Sequence, residues 1–169
     1  MPRTGVKPSI LGMAGVLACL LMAVFTMGSA QAAVPANHGA ADHVLTAPAA
    51  PWSSASASAL VAAATSPTVS PSASYIHVAP GGSFTCASGD LCTAVWDAAT
   101  SNWKIFFLYQ CNKYSLSSWN GTGYFWDHQT GGVPSHFYNQ DGSIARSFTP
   151  DGGVTHSQDW GPIWSIRNC

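Results

Sequence analysis

The sequence predicts a small antiparallel β-sandwich that is stapled by disulfides and preceded by a disordered linker. From residue 75 onward, short runs rich in Tyr, Phe and Trp recur at roughly 8–12-residue intervals, with glycine-containing turns between them. No segment of this region has a sustained helical period. Four cysteines lie in the same region, and a domain of this size benefits from covalent reinforcement because it buries only about two thirds of its unfolded surface.

The first 32 residues have the three parts of an export signal. Arg3 and Lys7 precede a mostly apolar run from Ile10 to Met27, and small residues follow it up to Ala32. A transmembrane anchor is the competing interpretation because the run nearly reaches the length of a bilayer, but no positively charged cluster follows it. We therefore predict a signal peptide over residues 1–32, secretion to the extracellular space and no stable membrane insertion.

Residues 33–74 are mainly Ala, Ser, Pro and Thr, with one acidic residue, Asp42, and one isolated aromatic, Trp52. Such a stretch lacks the clustered apolar surface that would offset the entropy of ordering it. Its serines and prolines also disfavour a lasting helix. We expect a disordered linker or pro-segment here, followed by the folded domain over residues 75–169.

The strands of the domain can be predicted in chain order. Leu91–Trp96 and Trp103–Tyr109 are apolar and aromatic runs on either side of a polar stretch of turn length, which predicts a hairpin. Five later runs share this composition and are bounded by polar or glycine-containing turns: Tyr114–Trp119, Tyr124–Trp126, His136–Tyr138, Ile144–Phe148 and Ile163–Ile166. We expect about four tryptophans of the domain to fill its core and one or two to be exposed.

The exported chain carries an even number of cysteines because Cys19 leaves with the signal peptide. Even parity in an exported domain predicts two disulfides and no free thiol. Four cysteines allow three connectivities, and we favour the pairs Cys86–Cys92 and Cys111–Cys169. By chain entropy the long loop contributes about 4 kcal/mol to stability and the short ring about 2 kcal/mol.

The domain is slightly acidic, and its basic residues are few and scattered: Lys104, Lys113, Arg146 and Arg167. Neutralising a nucleic-acid backbone takes clustered Lys and Arg, so we exclude nucleic acid as a partner. Electrostatic attachment to an anionic membrane is disfavoured for the same reason.

Several enzyme classes are excluded by residues that the chain lacks. It contains no glutamate, which rules out a His-Glu-x-x-His zinc protease and a glycosidase built on a Glu acid. A Gly-x-Ser-x-Gly nucleophile elbow is also missing. His128, His136 and His156, with Asp127, match no standard spacing of metal ligands. We predict no catalytic residues, no metal and no cofactor.

Three segments resemble the βγ-crystallin-like fold, in particular its small secreted bacterial branch, which includes the microbial metalloproteinase inhibitor family. They are the Cys-x5-Cys opening of Cys86–Cys92, the step Tyr114-Ser115-Leu116 into a third strand, and the closing Trp164–Asn168. The resemblance covers about Phe84 to the C-terminus. It implies two Greek-key motifs packed as a wedge, with aromatic side chains between the sheets.

Calcium-binding crystallin-like domains carry paired Asn/Asp-x-Asn/Asp-x-Ser/Thr-Ser segments, and this chain departs from that pattern. The corresponding places, Asn120–Gly123 and Trp160–Ser165, lack the carboxylate pairs. Calcium needs about six or more oxygen ligands, usually including carboxylates, so we expect no strong calcium site.

The resemblance implies a monomeric, secreted peptidase inhibitor that binds an extracellular protease through a rigid loop and performs no catalysis. Three loops are candidates, represented by Ser88, Gly89 and Asp90, by Asn112 and Lys113, and by Val133, Pro134 and Ser135. Two alternatives stay open. One is an antimicrobial or killer-toxin-like factor that binds cell-wall glycan through exposed tryptophans, and the other is a stress or structural module without a tight partner.

Overall fold

The computed structural model describes residues 42–51 and 65–169, which all belong to one unit of the chain, Asn37–Cys169. The predicted signal peptide, residues 1–32, lies outside the described residues. Within the described ranges there are twelve strands and no helix, so no described segment is a helix that could cross a membrane. The strands are β1 (His43–Thr46), β2 (Thr68–Ser70), β3 (Ser74–Val78), β4 (Ser83–Cys86), β5 (Leu91–Asp97), β6 (Asn102–Leu108), β7 (Lys113–Ser117), β8 (Thr122–Asp127), β9 (Ser135–Tyr138), β10 (Ile144–Phe148), β11 (Thr155–Asp159) and β12 (Ser165–Arg167).

Ten of the strands form two five-stranded sheets in which every pairing is antiparallel. Sheet I has the order β11-β8-β5-β6-β3, and sheet II has the order β10-β9-β12-β7-β2. Strands β1 and β4 form a separate antiparallel pair. The predicted all-β antiparallel class is confirmed, and each predicted strand run overlaps an observed strand.

The main core contains buried side chains from both sheets and from the loops that join them. Aromatic rings meet edge to face in its interior, with centroid distances of 5.1 Å for Phe125 and Phe137 and 4.9 Å for Trp119 and Trp160. Such rings bury a large apolar area with few rotatable bonds, which suits a domain with few aliphatic residues. The expected distribution of tryptophans is confirmed, because four are buried and Trp164 is exposed: the buried ones are Trp103, Trp119, Trp126 and Trp160.

A second core covers the other face of sheet I. Phe84 and Ala47, from the β1–β4 region, pack there with Trp103, Ile105 and Trp126. Because sheet I is covered on both faces, β5 and β6 are buried on nearly every residue instead of alternating between core and solvent. This explains why these two strands are continuous apolar runs in the sequence.

The structure differs from the linker expectation in two parts of residues 33–74. Strand β1 pairs with β4, from His43 opposite Cys86 to Thr46 opposite Ser83. Strand β2 pairs with β7, with Val69 opposite Leu116. Residues 42–51 and 65–74 are therefore part of the fold, and its described portion begins well before residue 75; residues 33–41 and 52–64 lie outside the described residues.

Long side chains of the domain hold these two segments through hydrogen bonds to their backbone carbonyls. The indole N–H of Trp103 donates to Pro48 O at 2.9 Å, and the buried Lys104 Nζ donates to Pro67 O at 2.8 Å. Trp119 donates its indole N–H to Thr68 O at 2.9 Å. The segments are thus stabilised by donors from elsewhere in the chain, which their own composition does not reveal.

Both predicted disulfides are present. Cys86 pairs with Cys92, with a Cα–Cα distance of 6.1 Å, and Cys111 pairs with Cys169 at 5.3 Å. The first pair is fully buried, whereas Cys111 is exposed and Cys169 is half-buried. The favoured connectivity is therefore confirmed, and two intramolecular disulfides are compatible with an extracellular protein.

Candidate functional site

The three candidate loops lie at the same end of the sandwich and surround one groove of about 340 Å³. Gly89 comes from the loop between Cys86 and Cys92, Cys111 from the β6–β7 loop, and Val133 from the β8–β9 loop. We call this the three-loop groove; it is lined by Gly89, Tyr109, Gln110, Cys111, Gln129, Thr130, Val133, Asn168 and Cys169. The sequence identified the loops one by one, and the fold brings them together.

The first loop lies in the ring closed by Cys86 and Cys92, which have a sequence separation of 6, and it is tied to the end of β8. The Gly89 N–H donates to His128 O at 2.8 Å, and the His128 N–H donates to Asp90 O at 3.0 Å. Gly89 has φ of 99°, and a Cβ added there would lie 3.0 Å from the ring of Tyr109. Only glycine suits this position, because a side chain would both strain the backbone and meet the ring.

Asp90, which was a candidate binding residue, has a buried side chain. Burial raises the pKa of this carboxyl above its usual value, and the neighbouring His128 opposes the rise. Ser88 is half-buried, and Tyr109, across from Gly89, exposes 67% of its surface. The surface that this part of the groove offers to a partner is therefore the backbone of the loop and the Tyr109 ring.

The second loop is fixed by Cys111–Cys169 and by the side chain of Asn168. This fully buried amide accepts from the Asn112 N–H at 2.9 Å and donates to Leu108 O at 2.7 Å. The Tyr114 hydroxyl donates to Gln110 O at 2.9 Å. The loop is thus held from both sides, and the amide of Asn168 takes the place of a missing strand partner.

The candidate residues Asn112 and Lys113 are exposed and lie beside the groove instead of lining it. Lys113 begins β7, and its Nζ lies 4.4 Å from the centre of the Tyr138 ring in sheet II. This is a cation–π contact, which directs the ammonium group toward that ring.

The third loop presents Val133 and Pro134 to solvent, and Val133 exposes 41% of its surface. Ser135 is fully buried, and its hydroxyl donates to Gln129 Oε1 at 2.7 Å. The Gln129 amide nitrogen in turn donates to Asn168 O. Ser135 therefore supports the loop from inside, and Gln129 connects the third loop to the second.

A buried carboxyl, that of Asp127, ends strand β8 just before the third loop. Asp127 Oδ1 accepts from the Gln129 N–H at 3.2 Å, whereas Oδ2 is buried without a hydrogen-bond partner in the described structure. Burial raises the pKa of Asp127 to about 6. The charge of Asp151 also raises this pKa, whereas the hydrogen bond from the Gln129 N–H lowers it. Protonation of this carboxyl near pH 6 relieves an uncompensated buried charge.

The described residues contain two His–Asp pairs, and neither lines the three-loop groove. His77 Nε2 lies 3.0 Å from Asp97 Oδ2, and the Ser66 hydroxyl donates to the same oxygen at 2.8 Å. In a catalytic triad the histidine stands between serine and aspartate, so this order does not activate Ser66. The other pair, His156 and Asp151, is 2.5 Å apart and partly exposed.

The groove therefore offers shape and hydrogen bonds to a partner. Its lining residues include no charged side chain, and all four described cysteines are disulfide-bonded. In the described part of the chain, no three His, Cys, Asp or Glu side chains are grouped as metal ligands. What the arrangement can do is hold a partner against a fixed surface.

The chain was compared with protein-family models, with curated proteins and with solved structures, and none of the three comparisons gives a match. The functional argument therefore depends on the geometry of the site.

Proposed function

We propose that this protein is a secreted peptidase inhibitor that resembles the βγ-crystallin-like inhibitors, and that it acts by binding an extracellular peptidase through the three-loop groove. The observation that carries the proposal is the convergence of three loops at one end of the sandwich, where one loop is closed by Cys86–Cys92 and another is tied to Cys169 through Cys111. The buried amide of Asn168 and the half-buried amide of Gln129 join two of these loops to each other.

Rigidity is the property that makes such a surface inhibitory. A loop that is already fixed in its bound shape binds a peptidase cleft without the entropy cost of ordering. The first loop is fixed by the Gly89 and His128 hydrogen bonds, and the second by Asn168. Val133, Pro134 and Tyr109 are exposed on this scaffold and supply the apolar contact surface.

The charge distribution fits a protein partner better than a nucleic acid. Lys104 is buried against Pro67 O, Lys113 lies over Tyr138, and Arg146 donates to Ser157 O. Few basic groups in the described part of the chain are therefore free to meet phosphates, which supports a partner recognised by shape and apolar contact.

The test is an inhibition assay of the exported protein against a panel of extracellular metallo- and serine peptidases, and we expect inhibition at micromolar concentration or below. Val133→Asp should weaken it about tenfold or more, since it places a charge in the contact surface. Val154→Asp is the matched control because Val154 is also exposed, at 55%, and does not line the groove.

Both variants should keep the wild-type melting temperature, because both side chains are substantially exposed. Absence of inhibition across the panel would contradict the proposal. Equal losses for the two variants would contradict the assignment of the inhibitory surface to the three-loop groove.

A further inference from the structure

The opposite end of the sandwich has an exposed aromatic ring on a fixed backbone. Trp164 exposes 50% of its surface, whereas Trp119 and Trp160, its neighbours in the fold, are buried. The backbone N–H of Trp164 donates to Tyr138 O at 2.8 Å, and the backbone carbonyl of Trp164 accepts from the Leu116 N–H at 2.9 Å. The indole is thus presented to solvent from a backbone that is hydrogen-bonded on both sides.

A groove of about 240 Å³ lies beside this indole. Its polar side chains are short and exposed, with hydroxyls from Ser117 and Ser118 and an amide from Asn120. We call it the Trp164 groove; besides these residues it is lined by Leu116, Trp119, Gly161, Ile163 and Trp164, and no charged side chain is among them.

The walls of the Trp164 groove are held in place by the loops on either side. The Trp160 N–H donates to Gly121 O at 2.9 Å, which ties the two loops together, and the Ile163 N–H donates to Trp160 O at 3.0 Å. Ser118 has φ of 61°, an uncommon conformation for a residue with a side chain. Strained residues of this kind persist where the surroundings fix them, and they cluster at ligand sites.

We infer that the Trp164 groove binds a neutral glycan, with one pyranose ring stacked on the Trp164 indole. The C–H groups on the apolar face of a sugar carry slight positive charge and meet the negative face of the indole. The sugar hydroxyls can exchange hydrogen bonds with the Ser118 hydroxyl and the Asn120 amide. This function goes beyond peptidase binding, because the two grooves share no lining residue.

A peptide fits this groove less well than a sugar. Extended peptides commonly bind by adding a strand to a free sheet edge. Strand β7, which leads into the groove, is already paired with β2 on one side and with β12 on the other. Charged side chains that would orient a peptide terminus are also missing from the lining.

The test measures binding of chitohexaose, cellohexaose and maltohexaose to the full exported protein. Tryptophan fluorescence and calorimetry detect the binding. We expect at least one of them to bind with a dissociation constant in the millimolar range or below. Trp164→Ala should weaken binding about tenfold or more, and Asn120→Ala should weaken it several-fold. Trp164→Phe, which keeps a smaller ring, should retain part of the affinity.

Tyr109→Ala is the matched control, because it removes an exposed aromatic ring at the other groove and should leave glycan binding unchanged. Melting curves of all variants will show that they are folded. Failure of all three glycans to bind at millimolar concentration would overturn the inference, as would equal binding by the Trp164→Ala protein. Fluorescence quenching by tryptic peptides of casein, without quenching by any glycan, would overturn it too.

Discussion

The two ends of the sandwich are held by different chemistry. At the three-loop groove, the Cys111–Cys169 disulfide and the buried Asn168 amide fix the loops. At the Trp164 groove, Trp119 and Trp160 fix them by donating their indole N–H groups to Thr68 O and Ala94 O, each at 2.9 Å. The supports differ and the grooves share no lining residue. The loops at one end should therefore be able to lose their order while the loops at the other end keep theirs.

The largest expected effect comes from removing the disulfide of the three-loop end. Cys111→Ala combined with Cys169→Ala opens a loop with a sequence separation of 58. By chain entropy this should lower the free energy of unfolding by about 4 kcal/mol. Urea unfolding measures the loss, and hydrogen exchange locates it.

In the same variant, backbone amides of residues 109–113 and 129–134 should exchange faster, while those of residues 117–121 and 160–164 should keep their protection. Uniform loss of protection at both ends would show that the two ends do not unfold independently.

A smaller effect is expected at the other end from Trp119→Phe. The change removes the donor to Thr68 O and leaves that carbonyl without its partner, while a ring still packs beside Phe106. We expect a loss of roughly 2–3 kcal/mol in stability, with faster exchange in β2. Trp164→Phe is the matched control and should change stability by less than about 0.5 kcal/mol. Equal losses in the two variants would show that Trp119 does not anchor β2.

The smallest stability effect concerns Asp127, the last residue of β8. Its folded-state pKa of about 6 is above the ordinary 3.8, so the folded protein favours the protonated carboxyl. The contribution of this raised pKa to the free energy of unfolding is fully present below about pH 4 and is lost as the pH rises through 6. Asp127→Asn removes the buried charge and should raise stability by roughly 1–2 kcal/mol at pH 7.5.

Thermal melting of both proteins between pH 4 and pH 7.5 checks this, and the difference between them should shrink toward the acid end. A variant that is less stable than wild type at pH 7.5 would contradict the account of Asp127. It would mean that the ionised carboxylate makes contacts that outweigh its burial.

The central strands could be predicted from the sequence because their own residues determine them. β5, β6 and β8 contain the apolar and aromatic runs, and the turn between β5 and β6 is polar. Cysteine parity predicted two disulfides, and the connectivity that we favoured among the three possible ones is the one observed. The strands and their turn are local features of the chain, whereas the Cys111–Cys169 pair has a sequence separation of 58.

Strands β1, β2 and β11 could not be predicted in the same way. Segments 42–51 and 65–70 consist mainly of small and polar residues, and their order depends on donors far along the chain, such as Trp103 and Lys104. Strand β11, Thr155–Asp159, is a polar edge strand whose position comes from pairing with β8. Tertiary pairing overrides local composition in these strands.

The three loops of the site could be predicted one by one, but their convergence around one groove could not. Each loop carries a signal, either a cysteine or glycines beside Pro134, but nothing in the sequence shows that the loops meet. The supporting amides Gln129 and Asn168 were missed, since a polar residue that satisfies buried backbone groups looks the same in sequence as an exposed one. Asp90 and Ser135 were expected in the binding loops, and their side chains are buried beneath them.

A hydrogen-exchange footprint of the complex will locate the surface that the proposed inhibitor uses to bind a peptidase. With an inhibited peptidase from the panel bound, amides of residues 87–90, 109–112 and 129–134 should gain protection, whereas residues 117–121 and 160–164 should not change. Protection confined to the Trp164 groove or to edge strands β10 and β11 would contradict the account.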